Sequence, residues 1–335
     1  MQIGFHLTAF WSPTDRPATQ IIDEAIEVVH AASTMGYAWV SMGQHMISYP
    51  TVWPQPFPLI ARLAPETGTM QIKSSVILLP LLNAVDVAEN VATLDHITHG
   101  RLVLGVAIGY REKELEAAGL TRKDRVPKLE ESLQVMKRLW AGEEVTFSGA
   151  YTKLTKARLG FTPYQKPHPP IEMGAQSEGA TKRAARLADS VFFGPQVAWG
   201  DIKKLVEVYR NERREMGQDP VIGLGASRSL IVGKSKEDAT RVAHQYVEKT
   251  FNMYRSWEMQ EKDMVPLQLG FDRSLDDWAL VGSPGDCVEK LLAVRESTGL
   301  DRVGFTIYSL PREPQARIEY MQMIAEEIVR KVASS

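Results

Sequence analysis

Residues 99–120 read HGRLVLGVAIGYREKELEAAGL. A Gly-Arg turn opens the stretch, and an apolar run over 101–108 lies between Gly100 and Gly109. A charged, helix-like sequence follows. A continuous apolar run bounded by glycines suits a strand covered on both faces, as in a parallel sheet. Gly105, Ala107 and Gly109 put almost no side chain on one side of that strand. Such bareness admits a neighbouring backbone, close strand-on-helix packing, or a flat ligand.

The same strand-then-helix unit repeats in both directions. Towards the N-terminus, strands are expected over 2–7, 37–42 and 72–79, followed by helices over 19–35, 58–67 and 85–97. The first of these helices carries Ile21, Ile22, Ala25, Val28, Val29 and Ala32 at helical spacing and ends at Gly36. Towards the C-terminus come a helix over 128–140, a hairpin over 144–154 turning at Ser148 and Gly149, and a proline-dense connector over 163–170. Strands over 171–174, 190–193, 221–232 and 302–308 then alternate with helices over 177–188, 199–216 and 235–252, and from Ser283. A closing helix spans 313–332. Over 254–279 the pattern is lost, which reads as an excursion or lid after the seventh strand.

Eight such alternations are the parallel α/β signature. No G-x-G-x-x-G follows the first strand, so a closed (β/α)8 TIM barrel, one domain over residues 1–335, is expected rather than an open doubly wound sheet.

Composition narrows the function classes. The chain is 44% hydrophobic and 24% charged, ordinary for a globular protein, and its net charge of −2 favours neither nucleic acid nor an anionic membrane. The single cysteine, Cys287, excludes a disulfide framework within the chain and any cysteine-cluster metal site. The N-terminus enters a strand without a basic leader, and no stretch offers the roughly 18 uninterrupted apolar residues of a membrane span. A cytoplasmic location is the expectation.

In a barrel the site is built just past the C-terminal ends of the strands. There the sequence places 6–10, Gln44 and His45, 79–83, Gly109 to Arg111, Gly174 to Ser177, 194–196, Ser227 and Arg228, and Tyr308 and Ser309. No pair of carboxylates faces across these ends and there is no His-x-His motif, which weakens a two-acid hydrolase or a barrel metal site. The lining is rich in Gly, Ala, Ser, Leu and aromatics, which suits a broad, mostly apolar cofactor with one anionic end. Gly174, Ala175, Gln176 and Ser177 join the fifth strand to a helix N-terminus, where free N–H groups and the helix dipole favour a phosphate. Ser177 either caps that helix or binds the anion. His45 either positions a reactive group and moves a proton, or is a hydrogen-bonded structural histidine. His6 reads as satisfied core, and Arg111 and Glu112 as a solvated helix start. Trp11, Tyr49, Trp53, Phe57, Tyr110 and Trp199 fall in strand-end loops and are candidates to wall an apolar substrate.

Three stretches then carry a resemblance: AENVATLDHITHGRLVLGVAIGY over 88–110, PYQKPHPPIEMGAQSEGATKRAARLADSVF over 163–192, and ALVGSPGDCVEKL over 279–291. With Leu139-Trp140-Ala141-Gly142 between them, the chain resembles the bacterial luciferase-like family of flavin-dependent oxidoreductases along nearly its whole length. The resemblance implies a luciferase-like barrel with an excursion after strand seven. It also implies FMN or the deazaflavin coenzyme F-420 at the strand ends, and a homodimer packed through helices near strands two and three. The family's phosphate loop falls on Gly174, Ala175, Gln176 and Ser177. Its polar residue and histidine after strand two fall on Gln44 and His45, and its strand-three end near the flavin ring on Ser75 to Leu79. Gly109 falls beside the phosphate-bearing tail. The chain departs from the family pattern twice. Gln44 stands where many members have Asp or Glu, and Ile108 stands where luciferase has a phosphate-binding arginine. The phosphate is then left to backbone amides and Ser177, with Arg228 as a further candidate.

The expected activity is that of a flavin-dependent monooxygenase. Reduced FMN (FMNH2), supplied by a separate reductase or a free pool, would react with O2 to give a flavin C4a-peroxide, shielded from water. The substrate would be a small, hydrophobic organic molecule, with His45 hydrogen-bonding or protonating the oxygen species. The alternatives are an F-420-dependent dehydrogenase or reductase and a non-catalytic flavin-binding protein.

Overall fold

The structure is a computed structural model that describes residues 1–7, 17–49, 51–221, 223–248, 252, 271–307 and 310–334. Its strands, in chain order, are β1 (Gln2–His6), β2 (Trp39–Met42), β3 (Gln71–Ser74), β4 (Ile77–Leu78), β5 (Leu102–Ala107), β6 (Val145–Ser148) and β7 (Lys153–Ala157). They continue with β8 (Ile171–Ala175), β9 (Ser190–Phe193), β10 (Leu224–Val232), β11 (Ala279–Gly282) and β12 (Arg302–Ile307). β10, β12, β1, β2, β3, β5, β8 and β9 pair side by side in that order, and β9 returns to β10. Every one of these pairings is parallel, so the sheet closes into the expected eight-stave (β/α)8 barrel. β6 and β7 form the antiparallel hairpin.

Helices cover the outside for the reason their spacing gave. The helix Ala18–Ala32 buries Ile21, Ala25, Val28, Val29 and Ala32. The helix Ala84–Ile97 starts where the Asn83 side chain accepts from the amides of Val85 and Asp86, satisfying two end donors. It is tied to the helix Arg125–Trp140 by the Trp140 indole, which donates to the Ala88 carbonyl at 3.1 Å.

Two stretches differ from the sequence reading. The third stave is broken: β3 and β4 are separated by a cis Ser75–Val76 peptide, and β4 pairs with β5. The C-terminal part of the expected excursion is regular. A helix, Phe271–Trp278, leads into β11, whose residues 279–282 pair in parallel with Ser229 to Val232 of β10. β10 is nine residues long, and its one edge is shared: Leu224 to Ala226 pair with β9, and the upper residues with β11. A short strand after an irregular stretch carries too little pattern to be seen in sequence. Residues 254–270 of the excursion lie outside the described residues.

The barrel interior is packed with polar side chains. Glu172 lies between Arg302, at 2.8 Å, and Lys73, at 3.4 Å. Lys73 also sits 3.9 Å from the Trp39 ring centroid. Burial favours protonating Glu172, but the Lys73 and Arg302 charges outweigh it and hold the carboxyl below its usual range. Burial brings Lys73 down to about 8 despite Glu172. His6 is buried between Ser41 Oγ, at 2.5 Å, and Ser227 Oγ, at 2.9 Å. Burial, then the Lys73 charge, push it down to about 4, so it is a neutral, satisfied core group.

Candidate active site

The exit of β2 is fixed by a chain of hydrogen bonds. The Gln44 Oε1 accepts from the Leu78 amide at 2.8 Å, and its Nε2 donates to Gln55 Oε1 at 3.0 Å. Gln55 in turn donates to the His45 carbonyl at 3.1 Å. The amide is used as acceptor and donor at once, which a carboxylate could not match. That gives a physical reason for Gln where an acid is common: Gln44 braces the loop.

His45 is buried, and its Nδ1 lies 2.9 Å from Glu114 Oε1. The same oxygen accepts from the Met46 amide at 2.9 Å and from Arg111 Nη1 at 3.1 Å. Arg111 also donates to the Met46 carbonyl at 2.9 Å. The imidazole meets Trp53 and Tyr110 edge to face, at centroid distances of 4.7 and 5.9 Å. Burial disfavours a charged Glu114, yet the hydrogen bonds from His45 and Met46 and the neighbouring positive charges hold its carboxyl below the usual range. The expectation of a solvated helix start is therefore corrected for Arg111, which is buried. Glu112 is exposed and pairs with Arg122. Neither Glu114 nor Gln55 stands out in sequence. The only signal is that Glu114 shares a helical face with Arg111 and Ala118, inside a run in which three glutamates alternate with other residues.

Beside this loop the strand ends carry small, half-buried residues: Ser75, Val76, Ala107 and Gly174. A Cβ built on Gly174 would make ordinary contacts with Val76 and Ala107, at 3.5 and 3.6 Å, so these three positions meet. The bareness of β5 divides into separate causes. A Cβ on Gly105 would stand 2.0 Å from the Ser74 carbonyl oxygen, so Gly105 admits a neighbouring backbone. Gly109 has φ +76° and turns the chain out of the strand, and its carbonyl accepts from Arg125 at 2.7 Å. Ala107 keeps its face partly open.

At the phosphate-loop stretch, Ala175 is buried in the core while Gln176 and Ser177 are exposed. Ser177 caps the helix Glu178–Leu187: its Oγ accepts from the Ala180 amide and its carbonyl from the Thr181 amide. The amides of Glu178 and Gly179 then stand in the first turn, where helix geometry supplies no acceptor. The donor set fits a dianionic phosphate at that end.

Other candidates are placed elsewhere. Leu79 is wholly buried in the main core. Tyr49 is 83% exposed, and Phe57 packs at the core edge on the helix Pro56–Leu63. Trp199 lies under the Arg228 guanidinium, 3.8 Å from carbon to ring centroid. Arg228 is fully buried and donates to the carbonyls of Ser227, Val197 and Gly194, at 2.6, 2.7 and 3.4 Å. Its guanidinium braces the β9 exit. Trp11, Tyr308 and Ser309 lie outside the described residues. Among the described residues no cluster of His, Cys, Asp or Glu could hold a metal, and no helix is long and apolar enough to cross a membrane.

Comparison with known proteins agrees with this geometry. A curated relative, the oxygenase component of a flavin-dependent trigonelline monooxygenase from Acinetobacter baylyi, is 28% identical over 251 residues, covering 73% of this chain and 68% of that one. The oxygenating constituent of 3,6-diketocamphane monooxygenase from Pseudomonas putida, solved with FMN, superposes with a TM-score of 0.84 at 21% identity over 99% of both chains. An F420-dependent secondary alcohol dehydrogenase superposes with a TM-score of 0.79 at 18% identity, over 99% of this chain and 98% of that one, and so shares the fold. The sequence pattern of the luciferase-like monooxygenases matches residues 1–302, so the chain belongs to that family and is a flavin-dependent oxidoreductase.

Proposed function

We propose that the chain is the oxygenase component of a monooxygenase that uses reduced FMN and O2 to oxidise a small, mainly apolar organic substrate. The observation that carries this reading is the His45 imidazole. It is held by Glu114, Trp53 and Tyr110 at the mouth of a barrel whose neighbouring strand ends are bare. When bound, reduced FMN supplies the electrons and activates O2. The chain's own groups bind, orient and shield. Ser177 and the first amides of its helix take the phosphate. Ser75, Val76, Ala107 and Gly174 leave room for a flat ring, and Trp53 and Tyr110 exclude water beside His45. His45 holds or delivers a hydrogen bond or proton to the reacting oxygen. An oxygenase of this kind needs a separate flavin reductase, and the Acinetobacter relative is itself an oxygenase component. A homodimer belongs to the same reading, and light scattering on the purified protein tests it.

The test is to mix protein with photoreduced FMN and then with O2. The expected result is a delayed return of the oxidised-flavin spectrum and O2 uptake that yields product across a panel of apolar substrates. Tight binding of coenzyme F-420 but not FMN, with turnover that consumes no O2, overturns the proposal. So does flavin binding with no turnover of the panel.

A further inference from the structure

We infer that Glu114 is the positioning residue for His45, holding the imidazole as its Nδ1–H tautomer so that Nε2 is the nitrogen that accepts in the site. The inference rests on the proton-handling role proposed for His45 and names the group that enforces it.

Three donors converge on one oxygen. Glu114 Oε1 receives the Met46 amide at 2.9 Å, the Arg111 guanidinium at 3.1 Å and the His45 ring at 2.9 Å. An amide and a guanidinium can only donate. The oxygen they share is therefore an acceptor, and the Glu114 side chain, 1% exposed, is an ionised carboxylate held below its usual range. A ring nitrogen at hydrogen-bond distance from an ionised carboxylate carries a proton. Nδ1 is thus the protonated nitrogen whenever the ring is neutral, and Nε2 keeps the lone pair. A carboxylate that orients a histidine in this way sets both the tautomer and the ring plane.

The surroundings make the setting rigid. Arg111 ties Glu114 to the backbone of the β2 exit through the Met46 carbonyl at 2.9 Å. Trp53 and Tyr110 flank the ring edge to face and narrow the room for its rotation about the Cβ–Cγ bond. Glu114 comes from the short helix Glu112–Ala117, after β5, and His45 from the exit of β2. The two residues lie 69 positions apart in sequence, and the pair couples the exits of β2 and β5.

The experiment reads the ring directly. Uniformly 15N-labelled, flavin-free protein is examined by NMR, with His45 assigned by the signals lost in His45→Asn. At a pH where the ring is neutral by its own titration curve, the expected spectrum is that of the Nδ1–H tautomer. Glu114→Gln, which keeps the shape and removes the charge, is expected to shift the population towards Nε2–H. It should lower the share of O2 converted to product about 10-fold or more and displace the pH profile, while FMN affinity stays within about twofold. An Nε2–H tautomer in the wild type overturns the inference, and this holds even if the variant fails to fold. An unchanged tautomer population in a folded Glu114→Gln overturns it too. If the tautomer is as stated but His45→Ala keeps full coupling, the positioning stands and the proposed role of His45 fails, so the two failures are told apart.

Discussion

Ser74 and Gly105 meet backbone to backbone across the β3–β5 contact. The Ser74 Oγ lies 2.9 Å from both the Gly105 amide and the Gly105 carbonyl, and a Cβ on Gly105 would stand 2.0 Å from the Ser74 carbonyl oxygen. Backbone cannot swing aside as a side chain can. Gly105→Ala is expected to cost about 3 kcal/mol, the upper end of overpacking effects. Urea denaturation measures it, and an unchanged midpoint would show that the strands can part without penalty.

Ser177 has two separable tasks. As a helix cap on the Ala180 amide it contributes about 1 kcal/mol, which Ser177→Ala should remove from the unfolding free energy. As part of the proposed anion end it is expected to favour FMN over riboflavin. The expected outcome is a wild-type enzyme that binds FMN far more tightly than riboflavin, with the ratio narrowed in the variant. Equal affinities for both flavins in the wild type would place the phosphate elsewhere.

Arg228 gives the complementary control. Its guanidinium serves three carbonyls and stacks on Trp199. Arg228→Met would leave those carbonyls without their donor, at about 3 kcal/mol in stability. FMN affinity, measured on the folded variant by fluorescence quenching, should stay within about twofold. A selective loss of FMN over riboflavin would instead make Arg228 a phosphate ligand.

His6 makes stability fall on the acid side. Its folded pKa, about 4, lies below the ordinary 6.5 of a free imidazole, so in between the unfolded chain takes up a proton that the folded one refuses. The contribution is complete above about 6.5 and is lost as pH falls towards 4, at about 1.4 kcal/mol per unit, or about 3 kcal/mol in all. Denaturation midpoints at several pH values in that window test it. His6→Asn should flatten the slope, and an equal slope in both proteins would refute the assignment.

The barrel was legible because its signals are local. Alternating strand and helix periods, Gly36 after the first helix and Ser177 at a helix start each act within a turn or two of chain. The return strand β11 was not, because four residues after an irregular stretch show no period. The helix start proposed for the phosphate could be located from a strand–helix junction alone. Glu114 could not, since its neighbours make a plain charged helix and its burial depends on the β2 exit folding over it. Arg111 departs from its expected solvated place for the same reason: it satisfies a carbonyl on another segment.

The shared edge of β10 has a consequence for the protein among its neighbours in a crowded cell. A nine-residue strand beside a four-residue one would present unpaired N–H and C=O groups over its upper part, a ready template for a strand from another molecule. Ala279 to Gly282 take up that part of the ladder. β11 thus acts as a built-in guard against sticky self-association. A change that detached it would be felt first as clumping of otherwise folded barrels.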